Sequence, residues 1–157
     1  MADGALQQVG PIEEVFQRPA NEAVARAVGV DSVLPAVVMA NSAGLAQFQI
    51  EDSAITGLAA DASPGDRGFV CIRGEEVVLS PDPPGHDSAR NHLAARVVEL
   101  RAEGPLVRVR LDCGFPLAAW ITRQSREDLA LEPGSKVWAL VKAPSVHFIR
   151  SANRAAP

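Results

Sequence analysis

Two segments of the chain, 30–80 and 88–150, carry the same order of short strand-like runs. The matches are Val37-Val38 with Val97-Val98 and Gly44 with Gly104 at an offset of 60, and Pro64-Gly65 with Pro133-Gly134 and "FVCIRGEEVVL" (69–79) with "WALVKAPSVHF" (138–148) at an offset of 69. An ordered set of matches with a single insertion indicates a duplicated unit. Each unit is short, so the repeat restricts the chain to two small lobes.

The runs within each segment are short, apolar and β-branched, and Gly, Asp, Ser and Pro separate them, as is typical of strands. Strict alternation in "LVRVRL", Leu106 to Leu111, favours a half-buried antiparallel strand. One helical turn is predicted at 125–131, where Ser125 can cap the helix and Asp128 completes a pair resembling a capping box. Five short strands with a capped turn fit an OB-type barrel. The predicted fold class is therefore mainly β, with two small OB-like β-barrel lobes.

A short helical segment is predicted ahead of the first lobe. In the stretch 10–29, Pro11 suits a first helical position and Gly29 can supply a left-handed C-terminal cap. The composition of "PDPPGHD" is that of a linker. The predicted order is a helical tail at 1–29, a first lobe at 30–80, a linker at 81–87, a second lobe at 88–150 and a flexible tail at 151–157.

Charge is distributed unevenly along the chain. The net formal charge is −4, but residues 1–87 carry four basic and thirteen acidic side chains, whereas 88–150 carry ten basic and six acidic ones. An acidic total disfavours a nonspecific polyanion binder. The aromatic residues are two Trp and five Phe, fewer than the base-stacking surfaces of nucleic-acid modules usually need. No nucleic-acid partner is therefore expected, and the basic second half favours a local site for a small anion.

Catalytic and metal-binding motifs are not found in the sequence. It has no phosphate-binding loop, and no metal or nucleophile motif, so we expect no catalysis by this chain and no bound metal. Cys71 and Cys113 lie inside apolar runs without metal spacing, which predicts buried thiols in a reducing compartment. The histidines, His86, His92 and His147, are scattered. No apolar run reaches 18 residues and no signal core is present, so a cytoplasmic, soluble protein is expected.

Several hydrogen-bond donors stand where strands begin or end. Tetrahedral oxyanions are held by hydroxyls, backbone N–H groups and one or two cations. The candidate donors are Ser88, Arg90 and Asn91 before a strand, Thr122 and Ser125 around a turn, and Lys142 at a strand end. Four of them have a simpler alternative, since Ser88 and Asn91 also suit turns, Ser125 a helix cap and Lys142 a solvated strand end.

Three stretches resemble parts of known ATPase subunits. Residues 4–29 resemble the segment that ends the nucleotide-binding domain of ABC-importer ATPases, through "GALQQVGPIEEVFQRPANEAVARAVG". Residues 69–79 resemble the "IRPE" strand of the regulatory barrel that follows in those proteins, with Gly74 in place of the usual proline. Residues 88–149 resemble the molybdate-binding barrel called molbindin, or TOBE, domain, through "SARNHL", "GPLVRVRLDCGFPLAAWITRQS" and "LALEPGSKVWALVKAPSV".

This resemblance implies a set of oxyanion-binding residues. The serine and arginine of "SARN", a "T-x-x-S" turn and a "K-S" pair hold the anion in that family. They carry over to Ser88 and Arg90, Thr122 and Ser125, and Lys142. The sixth position is Ala143, where the family often has Ser, so that only a backbone N–H can serve there. In molbindin-like proteins these groups converge between subunits, which implies a homodimer.

The function implied by the resemblance is regulatory. A cytoplasmic oxyanion, molybdate or tungstate, would bind the chain and modulate an ABC importer through its ATPase core and membrane permease, peripherally at the inner membrane. No other cofactor is implied. The alternatives are a structural dimerisation module without a functional anion site, a free-standing molybdate-binding protein, and an OB-type nucleic-acid module. The residues alone do not discriminate among molybdate, tungstate and sulfate.

Overall fold

The computed structural model describes residues 22–27 and 29–151. Its elements in chain order are α1 (Glu22–Ala27), β1 (Ser32–Ser42), β2 (Leu45–Ile50), β3 (Ser53–Leu58), β4 (Arg67–Ile72), the 3-10 turn η1 (Gly74–Glu76), β5 (Val78–Ser80), β6 (Asn91–Glu103), β7 (Leu106–Asp112), β8 (Pro116–Thr122), α2 (Arg123–Asp128), β9 (Lys136–Val141), the 3-10 turn η2 (Ala143–Ser145) and β10 (His147–Arg150). The mainly β class predicted from the sequence is confirmed.

Helix α1 lies where the sequence predicts helix, while the rest of that prediction, at 10–21 and 28, falls outside the described residues. Gly29 has φ +79 and donates its N–H to the Arg26 carbonyl at 3.2 Å, so it ends the helix as predicted. The helix packs on the sheet through Ala25, which is fully buried with Cys71 and Ile149. In the described part of the chain, no helix is long and apolar enough to cross a bilayer.

The first sheet is a closed barrel with the strand order β1-β2-β3-β10-β4. Its neighbours are antiparallel except β3 and β10, which run parallel. Leu34, Ala36 and Val38 alternate inward along β1 and are buried, which is the period-2 pattern that a half-buried strand requires. Phe48 on β2 fills the centre and stacks on Phe148 of β10, with ring centroids 5.0 Å apart. The core therefore depends on a strand from the far end of the chain.

The second sheet has the order β5-β9-β6-β7-β8. Along β7 the alternation predicted from the sequence is confirmed, with Val107, Val109 and Leu111 buried. They belong to the same cluster of buried side chains as Phe48 of the first barrel. A single hydrophobic core therefore joins the two OB-like units.

The two units exchange their final strands. Strand β5 leaves the first repeat after η1 and pairs with β9, and β10 leaves the second repeat after η2 and pairs with β4 and β3. Each 3-10 turn redirects the chain into the other unit. The division into lobes at 30–80 and 88–150 stays a prediction. In the structure, each of these two segments contributes one strand to the sheet of the other.

Hydrogen bonds fix the alignment of the repeat. Gly65 N–H donates to the Val38 carbonyl at 2.8 Å, and Gly134 N–H donates to the Val97 carbonyl at 2.8 Å. The offset of 69 between the two glycines is as predicted, but Val38 is the counterpart of Val97, at an offset of 59 rather than 60. A bulge follows Val38 in β1 and Val97 in β6, so the two bulges also correspond at the offset of 59. Val38 and Val97 are both 1% exposed, so at the offset of 59 the buried positions of β1 align with those of β6.

Neither cysteine takes part in a disulfide. Cys71 is buried, as predicted, whereas Cys113 is only half-buried. Burial still raises the pKa of the Cys113 thiol to about 11. The thiol is therefore protonated at neutral pH and is a poor nucleophile or metal ligand.

Candidate functional site

Asn91, the first residue of β6, is anchored by its side chain. Its amide NH₂ donates to the carbonyls of Thr56 (2.8 Å) and Val141 (3.0 Å), and its Oδ1 accepts from Thr56 N–H (2.7 Å). Both amide hydrogens are used and the residue is 4% exposed. The sequence predicted that the Asn91 side chain donates to an anion, but in this arrangement its amide has no free hydrogen left to donate. Asn91 instead fixes the start of β6 against β3 of the other unit and against β9.

The segment before Asn91 is held by Asp87. Its Oδ1 accepts from Ala89 N–H at 2.9 Å and lies 2.8 Å from His92 Nε2. The His92 hydrogen bond, followed by that of Ala89, lowers the pKa of the Asp87 carboxyl. Ser88 and Arg90 are exposed on this segment. Asp87 and His92 were not singled out from the sequence; their i, i+5 spacing gives no sign that they meet.

Arg90 and Lys142 lie just beyond the same end of the ladder between β6 and β9. The pairing of Asn91 with Val141 is the last in the ladder between β6 and β9, so Arg90 and Lys142 are the next residues outward on the two strands. Directly opposed side chains have Cβ atoms about 5 Å apart, and like charges there are destabilising. Neither side chain forms an ion pair or hydrogen bond within residues 22–27 and 29–151.

A backbone donor adjoins the two cations. Ala143 begins η2 and is buried, with Lys142 as the capping residue. The hydrogen bonds of this turn use the Lys142 and Ala143 carbonyls, which accept from Ser145 and Val146 N–H. No hydrogen bond among the described residues uses Ala143 N–H. Two cations and one unused N–H therefore converge at a strand start; Ser88, Arg90, Lys142 and Ala143 are called the strand-start cluster below.

Another pair of like charges in the same ladder differs in its surroundings. Arg96 is opposite Lys136, but on its other side it pairs with Asp112 of β7. That pair therefore has an acidic residue as its cross-strand neighbour. Arg90 has no such neighbour on β7, because the pairing between β6 and β7 begins only at Arg96. Arg90 and Lys142 are therefore called the uncompensated pair below, in the sense that neither has an acidic cross-strand neighbour or an ion pair among the described residues.

Thr122 and Ser125 lie at the opposite end of β6 from Asn91. The last residue of β6, Glu103, pairs with Leu106, which in turn pairs with Thr122. Within one chain the structure therefore brings together Ser88, Arg90, Asn91, Lys142 and Ala143, and places Thr122 and Ser125 elsewhere. The two hydroxyls themselves are adjacent, with their oxygens 3.0 Å apart.

The N-terminal cap of α2 also differs from the prediction. The cap is Thr122, whose Oγ1 accepts from Ser125 N–H at 3.0 Å, and the helix spans Arg123–Asp128 rather than 125–131. Ser125 is therefore inside the helix, and its partner at the cap is Thr122, whereas the prediction paired Ser125 with Asp128. Thr fits this position because its backbone is extended while its hydroxyl reaches the third N–H of the helix.

We expect Thr122→Ala to lower the free energy of unfolding by about 1 kcal/mol, because it removes this cap. Thr122→Ser keeps the hydroxyl and should lose only a few tenths of that amount. Urea denaturation of the two variants beside the unmodified chain measures the difference. Equal loss in both variants would show that the methyl group, and not the cap, supplies the stability.

Metal binding has no support in this geometry. Among the described residues, no group of three or more His, Cys, Asp or Glu side chains is arranged to hold a metal ion. The strand-start cluster consists of donors and cations, which repel a metal cation and attract an anion.

Comparison with known proteins identifies relatives. The TOBE domain family model matches residues 87–148. The chain is 33% identical over 147 residues to the molybdate/tungstate import ATP-binding protein WtpC of Pyrococcus abyssi, covering 93% of this chain and 40% of that protein. It is 46% identical over 88 residues to the molybdenum import ATP-binding protein ModC of Bordetella parapertussis, covering 54% of this chain and 24% of that protein. These matches confirm the predicted resemblance.

A solved structure shares the fold. The cytoplasmic molybdate-binding protein ModG, in a crystal form with molybdate bound, superposes with a TM-score of 0.67 and 21% identity, covering 76% of this chain and 96% of that chain. At this identity the likeness concerns the fold alone. The match to WtpC includes nearly the whole of this chain, but the chain spans only about 40% of the length of WtpC.

Proposed function

Since the chain carries a TOBE domain at residues 87–148, we propose that it is the regulatory oxyanion-binding region of an importer ATP-binding subunit. Its ligand is a tetrahedral dianion of the molybdate or tungstate type, and it works in the cytoplasm beside an ATPase core and a membrane permease. The observation that carries the proposal is the uncompensated pair Arg90 and Lys142 beside the unused Ala143 N–H. An anion placed there relieves the repulsion between the two cations.

The binding chemistry follows from the donors. The two cations neutralise a dianion, while Ala143 N–H and the Ser88 hydroxyl supply hydrogen bonds. Charge-assisted hydrogen bonds to backbone and side-chain donors are the strong contacts in such a site. We propose no catalytic step, because no nucleophile, base and oxyanion donors converge in the described residues.

A second copy of the chain completes the site in this proposal. Thr122 Oγ1 donates to Ser125 Oγ at 3.0 Å, which leaves the Ser125 hydroxyl hydrogen free for an anion. Because these hydroxyls lie at the far end of β6, they reach the strand-start cluster only from another molecule. The proposed assembly is a homodimer with the anion between the copies.

Regulation then follows from linkage. An anion that contacts both copies binds one arrangement of the dimer more tightly than any other, and so shifts the population toward it. The ATPase core attached to that arrangement would be held in one state while the anion is bound. Transport would fall as the cytoplasmic anion concentration rises above its dissociation constant.

A structural dimerisation module is the second candidate. Two observations favour it: Ala143 lacks the hydroxyl that the family often has at this position, and the Asn91 amide is fully occupied by backbone groups. A site without these two donors binds an anion more weakly. The exchange of strands between the two units does not depend on that site. The same fold could then serve assembly without sensing.

Isothermal titration calorimetry of the chain with molybdate, tungstate and sulfate separates the two functions. The sensor predicts heat and a rise in melting temperature with molybdate or tungstate, together with dimer formation in sedimentation velocity. No heat and no thermal shift at millimolar molybdate would leave the structural module as the function. Oligonucleotide titration at low salt should show no binding, in keeping with the acidic total charge.

A further inference from the structure

The first repeat contains a counterpart of the strand-start cluster. At the offset of 59, Ser32 is the counterpart of Asn91, and they are the two buried polar residues of the described chain. Ser32 Oγ accepts from Ala118 N–H at 3.1 Å, so it too reaches into the third strand of the other unit. The residue before it, Asp31, is therefore the counterpart of Arg90.

The facing residues correspond as well. Arg73 caps η1 with φ −83 and ψ 135, as Lys142 caps η2 with φ −71 and ψ 146. The ladder between β1 and β4 ends with Ser32 opposite Ile72, so the next residues outward are Asp31 and Arg73. At this place the second repeat has two cationic residues, Arg90 and Lys142, whereas the first repeat has an anionic and a cationic one, Asp31 and Arg73.

The Asp31 carboxylate has the contacts of a bound anion. Its Oδ2 accepts from Gly74 N–H at 2.8 Å, its Oδ1 accepts from Trp120 Nε1 at 3.0 Å, and Arg108 Nε lies 3.9 Å away. The side chain is 11% exposed. Gly74 is the counterpart of Ala143, whose N–H is unused. The carboxylate therefore takes the backbone donor that the proposed function assigns to an oxyanion in the other repeat.

The first repeat also holds a buried donor without a partner, on Arg73, and a cavity next to Asp31. Arg73 Nη2 is buried and has no hydrogen-bond partner, which is costly for a charged group unless a ligand meets it. A cavity of about 420 Å³ adjoins Asp31, and its polar lining consists of Ser32, three arginines and two carboxylates, namely Arg26, Arg108, Arg110, Glu51 and Asp112. Next to Asp31 there are therefore two N–H donors, the Arg108 guanidinium and room for an ion larger than a carboxylate.

We propose that Asp31 closes an oxyanion site in the first repeat by serving as its internal anion. The chain consequently takes up anion only at the strand-start cluster, and removing the carboxylate opens a second site with Gly74 N–H, Trp120 Nε1, Arg73 and Arg108 as donors. This inference rests on the proposed function for the kind of ligand. It explains why one repeat has Arg and the other Asp at equivalent positions.

The test uses the full chain with Lys142→Ala, which weakens the strand-start cluster. In that background we compare Asp31→Ala with Asp31→Asn, by calorimetry and thermal shift with sodium molybdate. The two changes alter net charge equally, but Asn keeps the volume that fills the site. We expect Asp31→Ala to bind molybdate at least about tenfold more tightly than Asp31→Asn, because the Asn side chain still occupies the place in which the anion would meet charge-assisted donors. Adding Arg73→Ala should abolish the gain.

In the otherwise unmodified chain, Asp31→Ala should add one molybdate per chain to the stoichiometry. Binding by the unmodified chain without a gain in Asp31→Ala overturns the inference and leaves the proposed function intact. Binding by Asp31→Ala alone supports the inference and overturns the proposed function. Should Asp31→Ala not fold, Asp31→Ser replaces it, and folding restored by molybdate or formate in circular dichroism supports the inference; folding that neither ion restores overturns it.

Discussion

Gly68→Ala will destabilise the fold by about 3 kcal/mol or more, because β4 and β10 approach each other too closely at this point for any side chain. A Cβ on Gly68 would overlap the Ile149 carbonyl oxygen and come within 2.9 Å of Phe148 Cζ. The strand that must move is β10, which carries the ring stacked on Phe48. The first barrel would open along that edge.

Urea or thermal denaturation measures this effect, and a domain of this size should lose about 6–12 °C in melting temperature. Gly85→Ala is the matched control, since a Cβ there meets no atom within 4 Å and surface changes are usually within about 0.5 kcal/mol. Equal stability of the two variants would mean that β10 does not pack against β4 in solution.

Arg90→Ala and Lys142→Ala should each weaken molybdate binding by roughly 10- to 150-fold, the equivalent of about 1.5–3 kcal/mol for a lost charge-assisted hydrogen bond. Without ligand, either change removes one of two facing cations, so the free chain should lose no stability. A fall in affinity without a fall in melting temperature separates a binding role from a structural one. Ala143→Ser should strengthen binding modestly by restoring a hydroxyl donor.

Arg96→Ala is the control for overall charge. Arg96 belongs to the same strand and also faces a lysine, but Asp112 pairs with it from β7. Its removal changes the net charge as much as Arg90→Ala does, and calorimetry should show an unchanged dissociation constant. If all three variants weakened binding alike, nonspecific attraction would explain the anion binding and the strand-start cluster would not be its site.

The strands were predictable because their signals are local. The alternation of β7 and the paired Gly65 and Gly134 turns can be identified from a few neighbouring residues. The exchange of β5 and β10 could not be predicted, because a strand of three or four residues carries no information about which edge it will join. The alignment error of one residue arose because the identical pairs Val37-Val38 and Val97-Val98 were matched, whereas the residue before the bulge is Val38 in β1 and Val97 in β6.

The candidate site was predictable in part. The cationic residues and their position beside a strand were anticipated, whereas the burial of Asn91 was not, because asparagine before a strand suits an exposed turn equally well. Asp31 was missed for two reasons. A carboxylate is not an expected anion ligand, and the offset of 60 aligned it with Asn91 instead of Arg90.

The exchanged strands have a consequence for the order in which the protein can fold. Leu58 of β3 pairs with His147 of β10, so the first barrel cannot close until β10 has left the ribosome. Contacts this distant in sequence slow folding. They also couple the two repeats into one cooperative transition, since neither can complete its sheet alone. A chain cut between the repeats should therefore yield two fragments that fold only together.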